Sequence, residues 1–247
     1  MTKKVVVSLY FALSVFVGGC FAGHGTNESD KLALRPIVIA IVGDSTVTDY
    51  PPEGELRGWG QMIPEFFNDN IKIKNFAKSG TSSKSFIKEG LWSEVLKANA
   101  EYIMIQFGHN DCPGKGDRTT DPNSDYQEYL RKYIADCRKL GIQPILVTPM
   151  ERRNFDEKGK IRQSLAEYSA AMKKVGEIEK VPVIDLHDRS VELYELIGPK
   201  GCSYMDLTIN KTDHTHFSEE GAITMAKLVI SEINKKMIIL NKHLVEN

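Results

Sequence analysis

The chain has 247 residues, 41% of them hydrophobic and 26% charged, with a formal net charge of −1. That length allows one sizeable core, and the composition is that of an ordinary folded domain rather than a disordered or fibrous chain. No Lys/Arg block or basic amphipathic stretch stands out, so nucleic acid is not an expected partner.

The N-terminal stretch reads as an export signal rather than as part of the fold. Lys3 and Lys4 precede an almost wholly apolar run, Val5 to Val17, which is too short to span a bilayer. Val17-Gly18-Gly19-Cys20 resembles a bacterial lipoprotein box, with cleavage before Cys20 and a lipid anchor on it. The alternative is cleavage after Cys20-Phe21-Ala22, which releases a soluble protein. Small residues before a cysteine favour the first. The expected layout is therefore a signal peptide over 1–19, a tether over 20–34 and one domain over 35–245. Residues 1–19 hold two lysines and no acids, which leaves 30 basic and 33 acidic side chains in the mature chain, a mildly acidic balance.

Within the domain, Ile37 to Val42 is a continuous apolar run ending at Gly43, the pattern of a strand buried on both faces. Further strands are expected at 71–76, 102–107, 145–148 and 181–184, the last starting late or lying at an edge because of Pro182. Helices are expected over 56–68 and 84–98. Two more should open at the apparent capping boxes Ser124-Asp-Tyr-Gln127 and Ser164-Leu-Ala-Glu167. A final helix should follow Ser218, with Ile223, Ala226, Ile230, Ile233 and Met237 as its apolar stripe. Alternating strands and helices predict an α/β fold with a mostly parallel five-stranded sheet covered on both faces. In such sheets ligands bind at the carboxyl ends of the strands. Ser45, Gly80 and Asn110 follow the first, second and third strands at that end.

Those three residues, with Asp213-His-Thr-His216, supply the parts of a serine esterase. A serine hydroxyl needs an adjacent base to act as nucleophile, and Ser45 is the candidate. Asp213 and His216 are spaced so that the aspartate can accept the Nδ1 proton and leave Nε2 facing the serine. His214 competes for the base but sits on the wrong side of Asp213; it is kept as a candidate substrate contact. The Ser45 amide, Gly80 and Asn110 would form the oxyanion hole. Trp59 is a candidate to stack on a sugar face or to pack locally. Asp44 is expected to brace the nucleophile turn, and His109 and Asp111 to shape their loop. Cys112, Cys137 and Cys202 match no zinc spacing, and sequence does not fix any pairing among them.

These segments resemble the SGNH (GDSL) hydrolases, with the four named residues falling on Ser45, Gly80, Asn110 and His216 and the family's aspartate on Asp213. The resemblance implies a flavodoxin-like three-layer α/β/α sandwich, a Ser-His-Asp triad and no cofactor. Gly43-Asp-Ser-Thr46, Gly58-Trp-Gly60, Phe107-Gly-His-Asn-Asp111 and Asp213-His-Thr-His216 are similar to the rhamnogalacturonan acetylesterases. That likeness implies an acetylated polysaccharide as substrate, most closely the rhamnogalacturonan of pectin. Lys84 stands where members usually carry an arginine. Acetylated xylan or peptidoglycan, or the substrate of a GDSL lipase or lysophospholipase, are the alternatives. A metal-dependent phosphoesterase using Asp213, His214 and His216 fits less well, because the His and Asn of 108–111 are transposed for that signature. A non-catalytic carbohydrate-binding protein would ordinarily lack part of the triad. A monomer without metal is expected, exported to the periplasm or cell surface, and in contact with membrane only through a lipid on Cys20.

Overall fold

The structure is a computed structural model that describes residues 35–245. The candidate signal peptide, lipobox and tether lie outside the described residues. Five strands, β1 (Ile37–Val42), β2 (Ile71–Asn75), β3 (Tyr102–Ile105), β4 (Gln143–Val147) and β5 (Val183–Ile184), form one parallel sheet in the order β2-β1-β3-β4-β5. The short β5 lies at the edge, where Pro182 costs no ladder bond.

Each buried strand splits its side chains between two cores, because successive residues point to opposite faces. Ile39, Ile41, Met104, Ile145 and Val147 enter one core with Trp59 of α1 (Trp59–Met62), Tyr194 of α6 (Leu186–Gly201) and Met225 of α7 (Glu219–Lys236). Ala40, Val42, Ile103, Ile105 and Leu146 enter the other. There they meet Phe86 of α2 (Ser83–Lys88), Trp92 of α3 (Leu91–Val95), Tyr133 of α4 (Asp125–Lys139) and Met172 of α5 (Ala166–Glu179). The result is the expected three-layer sandwich. A last short helix, α8, spans Ile238–Asn241.

The differences from expectation have local causes. The 56–68 segment is only α1 followed by a 3-10 turn, Ile63–Phe66, with Pro64 at its start. The 84–98 segment is two helices divided at Gly90. Neither expected capping box forms. Ser124 makes no cap bond, and Gln127 Nε2 donates to Pro122 O instead. Ser164 Oγ is taken up by Glu151 Oε1, while Glu151 Oε2 accepts the Leu165 amide at the start of α5. A carboxylate from the loop after β4 therefore caps that helix. Ser218 does cap α7, accepting from the Gly221 amide. The buried stripe of α7 runs through Ala222, Met225, Ala226, Val229 and Ile233, so Ile223 and Ile230 are only partly covered. Helix α6 was not foreseen; Asp185 caps it and Gly198-Pro199 kinks its end.

The strand order reverses direction of growth at β1, with β2 on one side and β3 to β5 on the other. Loops leaving the carboxyl ends of β1 and β3 diverge there and leave a crevice. Gly43 to Thr48 leaves β1 and Gly108 to Cys112 follows β3, so the topology alone puts Ser45 and Asn110 beside this opening.

Candidate active site

Ser45 lies on a single tight turn, not at the start of a regular helix: the amides of Val47 and Thr48 both donate to Asp44 O. The turn is held from several sides. Asp44 Oδ1 accepts from the Thr46 amide and hydroxyl at 2.9 and 2.7 Å. Thr46 Oγ1 accepts from Gln106 Nε2, and Gln106 Oε1 accepts from Trp59 Nε1 at 2.8 Å. Tyr50 Oη donates to Ser45 O at 2.8 Å. The Trp59 amide donates to Thr46 O, and a Cβ at Gly58 or Gly60 would come within 2.3 and 2.6 Å of the Thr48 and Val47 carbonyl oxygens. Gly-Trp-Gly is thus the only way this backbone can lie flush under the turn.

Trp59 has 0% exposure, so its candidate role on a sugar face is corrected and the other candidate role, local packing, is the one observed. Its ring is a core buttress whose one polar atom is used by Gln106. Asp44 is also fully buried, with Oδ2 3.3 Å from His109 Nδ1, close enough for an ion pair but not aligned as a hydrogen bond. Burial raises its pKa, but the His109 charge and the Thr46 bonds outweigh that and hold the carboxyl below its ordinary value.

His216 reaches this turn from a segment 171 residues away in sequence. Its Nε2 is 2.8 Å from Ser45 Oγ, and its Nδ1 is 2.7 Å from Asp213 Oδ2. The other Asp213 oxygen, Oδ1, accepts from the amides of Thr215 and His216 at 2.9 and 3.0 Å. Burial pushes the Asp213 carboxyl up, yet these donors pull it down further, so it stays below the usual carboxylate range. Arg153 locks the segment from beneath. Its Nη2 donates to the carbonyls of His216 and Asp213 at 2.6 and 3.3 Å, its amide to His214 O, and its Nε to Asp206 Oδ1. The imidazole of His214 bonds to neither Ser45 nor Asp213; only its backbone is engaged.

The candidate oxyanion donors are Ser45 itself and residues of the loops after β2 and β3. The loop after β2 is tied to the nucleophile turn, with the Lys78 amide and Thr81 Oγ1 both donating to Gly43 O. Gly80 takes φ +83°, a left-handed conformation natural only to glycine. Among the described residues neither the Ser45 nor the Gly80 amide donates to another protein group. Asn110 gives one Nδ2 hydrogen to Thr81 O at 3.0 Å and keeps the second. Next to it, Asp111 accepts from Ser83 and Thr120, and burial drives its carboxyl up to about 7 against the pull of those donors.

The residues missed from the sequence are Tyr50, Gln106, Arg118 and Arg153. Gln106 did carry a signal, a lone amide ending an apolar strand, which must find partners when buried. Arg153 follows β4 at the functional end of the sheet. Arg118, in a polar loop, carried none. Cys112, Cys137 and Cys202 are all free and buried. No group of three or more His, Cys, Asp or Glu side chains among the described residues is placed to hold a metal ion.

The chain is similar to known proteins along most of its length. Residues 39–229 match the family described as GDSL-like lipase/acylhydrolase. Rhamnogalacturonan acetylesterase RhgT of Bacillus subtilis (strain 168) is 38% identical over 224 residues, covering 85% of this chain and 95% of its own. The probable rhamnogalacturonan acetylesterase YesY of the same organism is 34% identical, covering 84% and 97%. The crystal structure of protein YxiM from Bacillus subtilis superposes with a TM-score of 0.74 at 27% identity, covering 83% of this chain and 58% of that longer one.

Proposed function

We propose, for a chain that belongs to the GDSL-like lipase/acylhydrolase family and is thereby a carboxylic ester hydrolase, that it removes O-acetyl groups from a polysaccharide, in the first place rhamnogalacturonan. The observation that carries the reading is the unbroken relay Ser45 Oγ, His216 Nε2, His216 Nδ1, Asp213 Oδ2, with links of 2.8 and 2.7 Å. The polysaccharide itself is supported by the two relatives named rhamnogalacturonan acetylesterase.

The reaction is a two-step acyl transfer. His216 Nε2 takes the Ser45 proton as Oγ bonds to the acetyl carbon. Asp213, kept ionised, fixes the tautomer and stabilises the imidazolium. The carbonyl oxygen becomes an oxyanion facing the Ser45 and Gly80 amides and the spare Asn110 Nδ2 hydrogen. Each such donor is worth about 3–4 kcal/mol in the transition state. His216 then gives its proton to the sugar oxygen as the C–O bond breaks, leaving an acetyl-serine. Water repeats the sequence from the other direction, and acetate leaves.

Acetate release from acetylated rhamnogalacturonan, acetylated xylan and O-acetylated peptidoglycan tests the substrate. Fastest release from rhamnogalacturonan is expected; a clear preference for xylan or peptidoglycan overturns that part. Covalent capture of Ser45 by a fluorophosphonate tests the chemistry separately. Export through the N-terminal segment, with a lipid on Cys20, is part of the same proposal and is read by the mass of the mature N-terminal peptide.

A further inference from the structure

Among the described residues, Arg118 is the one cation that touches both Gly80 and Asn110 of the proposed oxyanion hole. It ends a short 3-10 turn, Gly116–Arg118, in the polar loop after β3. Its Nη1 donates to Gly80 O at 2.7 Å and lies 3.4 Å from Asn110 Oδ1, while Nε donates to Lys115 O. The turn is itself anchored. Lys84 Nζ on α2 donates to Thr119 O, Thr119 Oγ1 donates to Cys112 O, and the Lys115 amide donates to Thr119 Oγ1. The guanidinium is half-buried and its backbone is fixed, so its place beside the hole is built into the fold.

Two consequences follow from the chemistry of a guanidinium, which only donates. Asn110 must turn its oxygen toward Arg118, so its NH2 group faces the other way. One of those hydrogens goes to Thr81 O, and the other is left for the oxyanion. Gly80, in its left-handed conformation, has its carbonyl tied to the same nitrogen, which fixes the loop that presents its amide. The charge also touches two of the three candidate donor residues, on a side chain partly screened from water.

We propose that Arg118 is a positioning residue of the esterase: it sets the Asn110 amide and the Gly80 loop, and adds positive potential to the oxyanion hole. The inference rests on the hydrolytic reading given above. Its effect therefore belongs in kcat rather than KM, and the share that runs through Asn110 depends on that residue being present.

Arg118→Met and Arg118→Gln are assayed on p-nitrophenyl acetate, which has no sugar and no carboxylate for the arginine to bind. Turnover is expected to fall about 10- to 100-fold with KM within about threefold, the size of a weakened oxyanion contact. Arg118→Lys should recover part of it, since an ammonium restores the charge but sits on a shorter side chain and lacks the Nε–H that donates to Lys115 O. In an Asn110→Ala background the Arg118→Met effect should shrink severalfold, because the two act as a unit. Arg118→Gln retains a donor and serves if the Met variant does not fold. Unchanged kcat in a folded Gln variant overturns the proposal. So does full additivity with Asn110→Ala, or a loss seen only as raised KM on acetylated polysaccharide, which would make Arg118 a substrate contact. Failure of the hydrolytic reading looks different, because Ser45→Ala and Asn110→Ala would then themselves keep activity.

Discussion

Replacing Asp213 by asparagine changes one atom and should silence the enzyme without unfolding it. Oδ1 accepts two backbone amides, from Thr215 and His216, while Oδ2 accepts only the His216 ring. An asparagine can satisfy both amides only by placing its oxygen at the Oδ1 position. The reverse orientation loses two hydrogen bonds and faces donors with donors, at about 1–3 kcal/mol for each unsatisfied group. The amide NH2 therefore points at His216 Nδ1, which must accept, and the ring proton moves to Nε2. From there it points at Ser45 Oγ, 2.8 Å away, as a donor. The base is then in the wrong tautomer, and the same replacement in other Ser-His-Asp triads costs about 10⁴ in turnover. That is roughly 5.4 kcal/mol of barrier, at 1.36 kcal/mol per decade. Steady-state kinetics on p-nitrophenyl acetate, with a thermal melt beside them, read the result. A fall in kcat of less than about tenfold, with the melt unchanged, would refute the relay.

Other substitutions probe the rest of the site. Asn110→Ala removes one oxyanion donor and should lower kcat about 10²- to 10³-fold with little change in KM, read on the same ester. His216→Ala should cost several decades and His214→Ala far less, because only the first ring contacts Ser45 and Asp213; a reversed order would exchange their roles. Asp111 predicts a pH effect on stability. Its carboxyl ionises near 3.8 when unfolded and about 7 when folded, so between those values the folded state binds more protons and stability falls as pH rises. The full loss is on the order of 4 kcal/mol, of which about 3 kcal/mol falls between about pH 5 and pH 8, and Asp111→Asn should abolish that difference in urea unfolding at those two values. An equal slope in both proteins would refute the assignment.

What the sequence disclosed, and what it hid, follows from range. The run Ile37 to Val42 announces a strand buried on both faces because alternate residues serve two cores, leaving no polar face. Asp213 and His216 are legible as a pair because their contact spans three residues and depends on local turn geometry. Trp59 stays open between a sugar face and local packing because a tryptophan between glycines fits either, and only the close approach of Gly58 and Gly60 to the Thr48 and Val47 carbonyls decides for packing. The two serine capping boxes failed for a related reason. At Ser164 a distant carboxylate, Glu151, outcompeted the local partner. Arg118 reaches Gly80, and Arg153 reaches Asp206 and His216, across long stretches of chain, and no spacing rule reports such contacts.

The nucleophile leaves the first strand of the sheet, while its base arrives just ahead of the long helix α7. A ribosome therefore makes the two halves of the relay at opposite ends of its task. If the proposed relay is the catalyst, a nascent or prematurely terminated chain lacking His216 should be inert toward esters. On that relay, hydrolytic competence is expected only once α7 has docked and the segment ahead of it has brought the imidazole to Ser45.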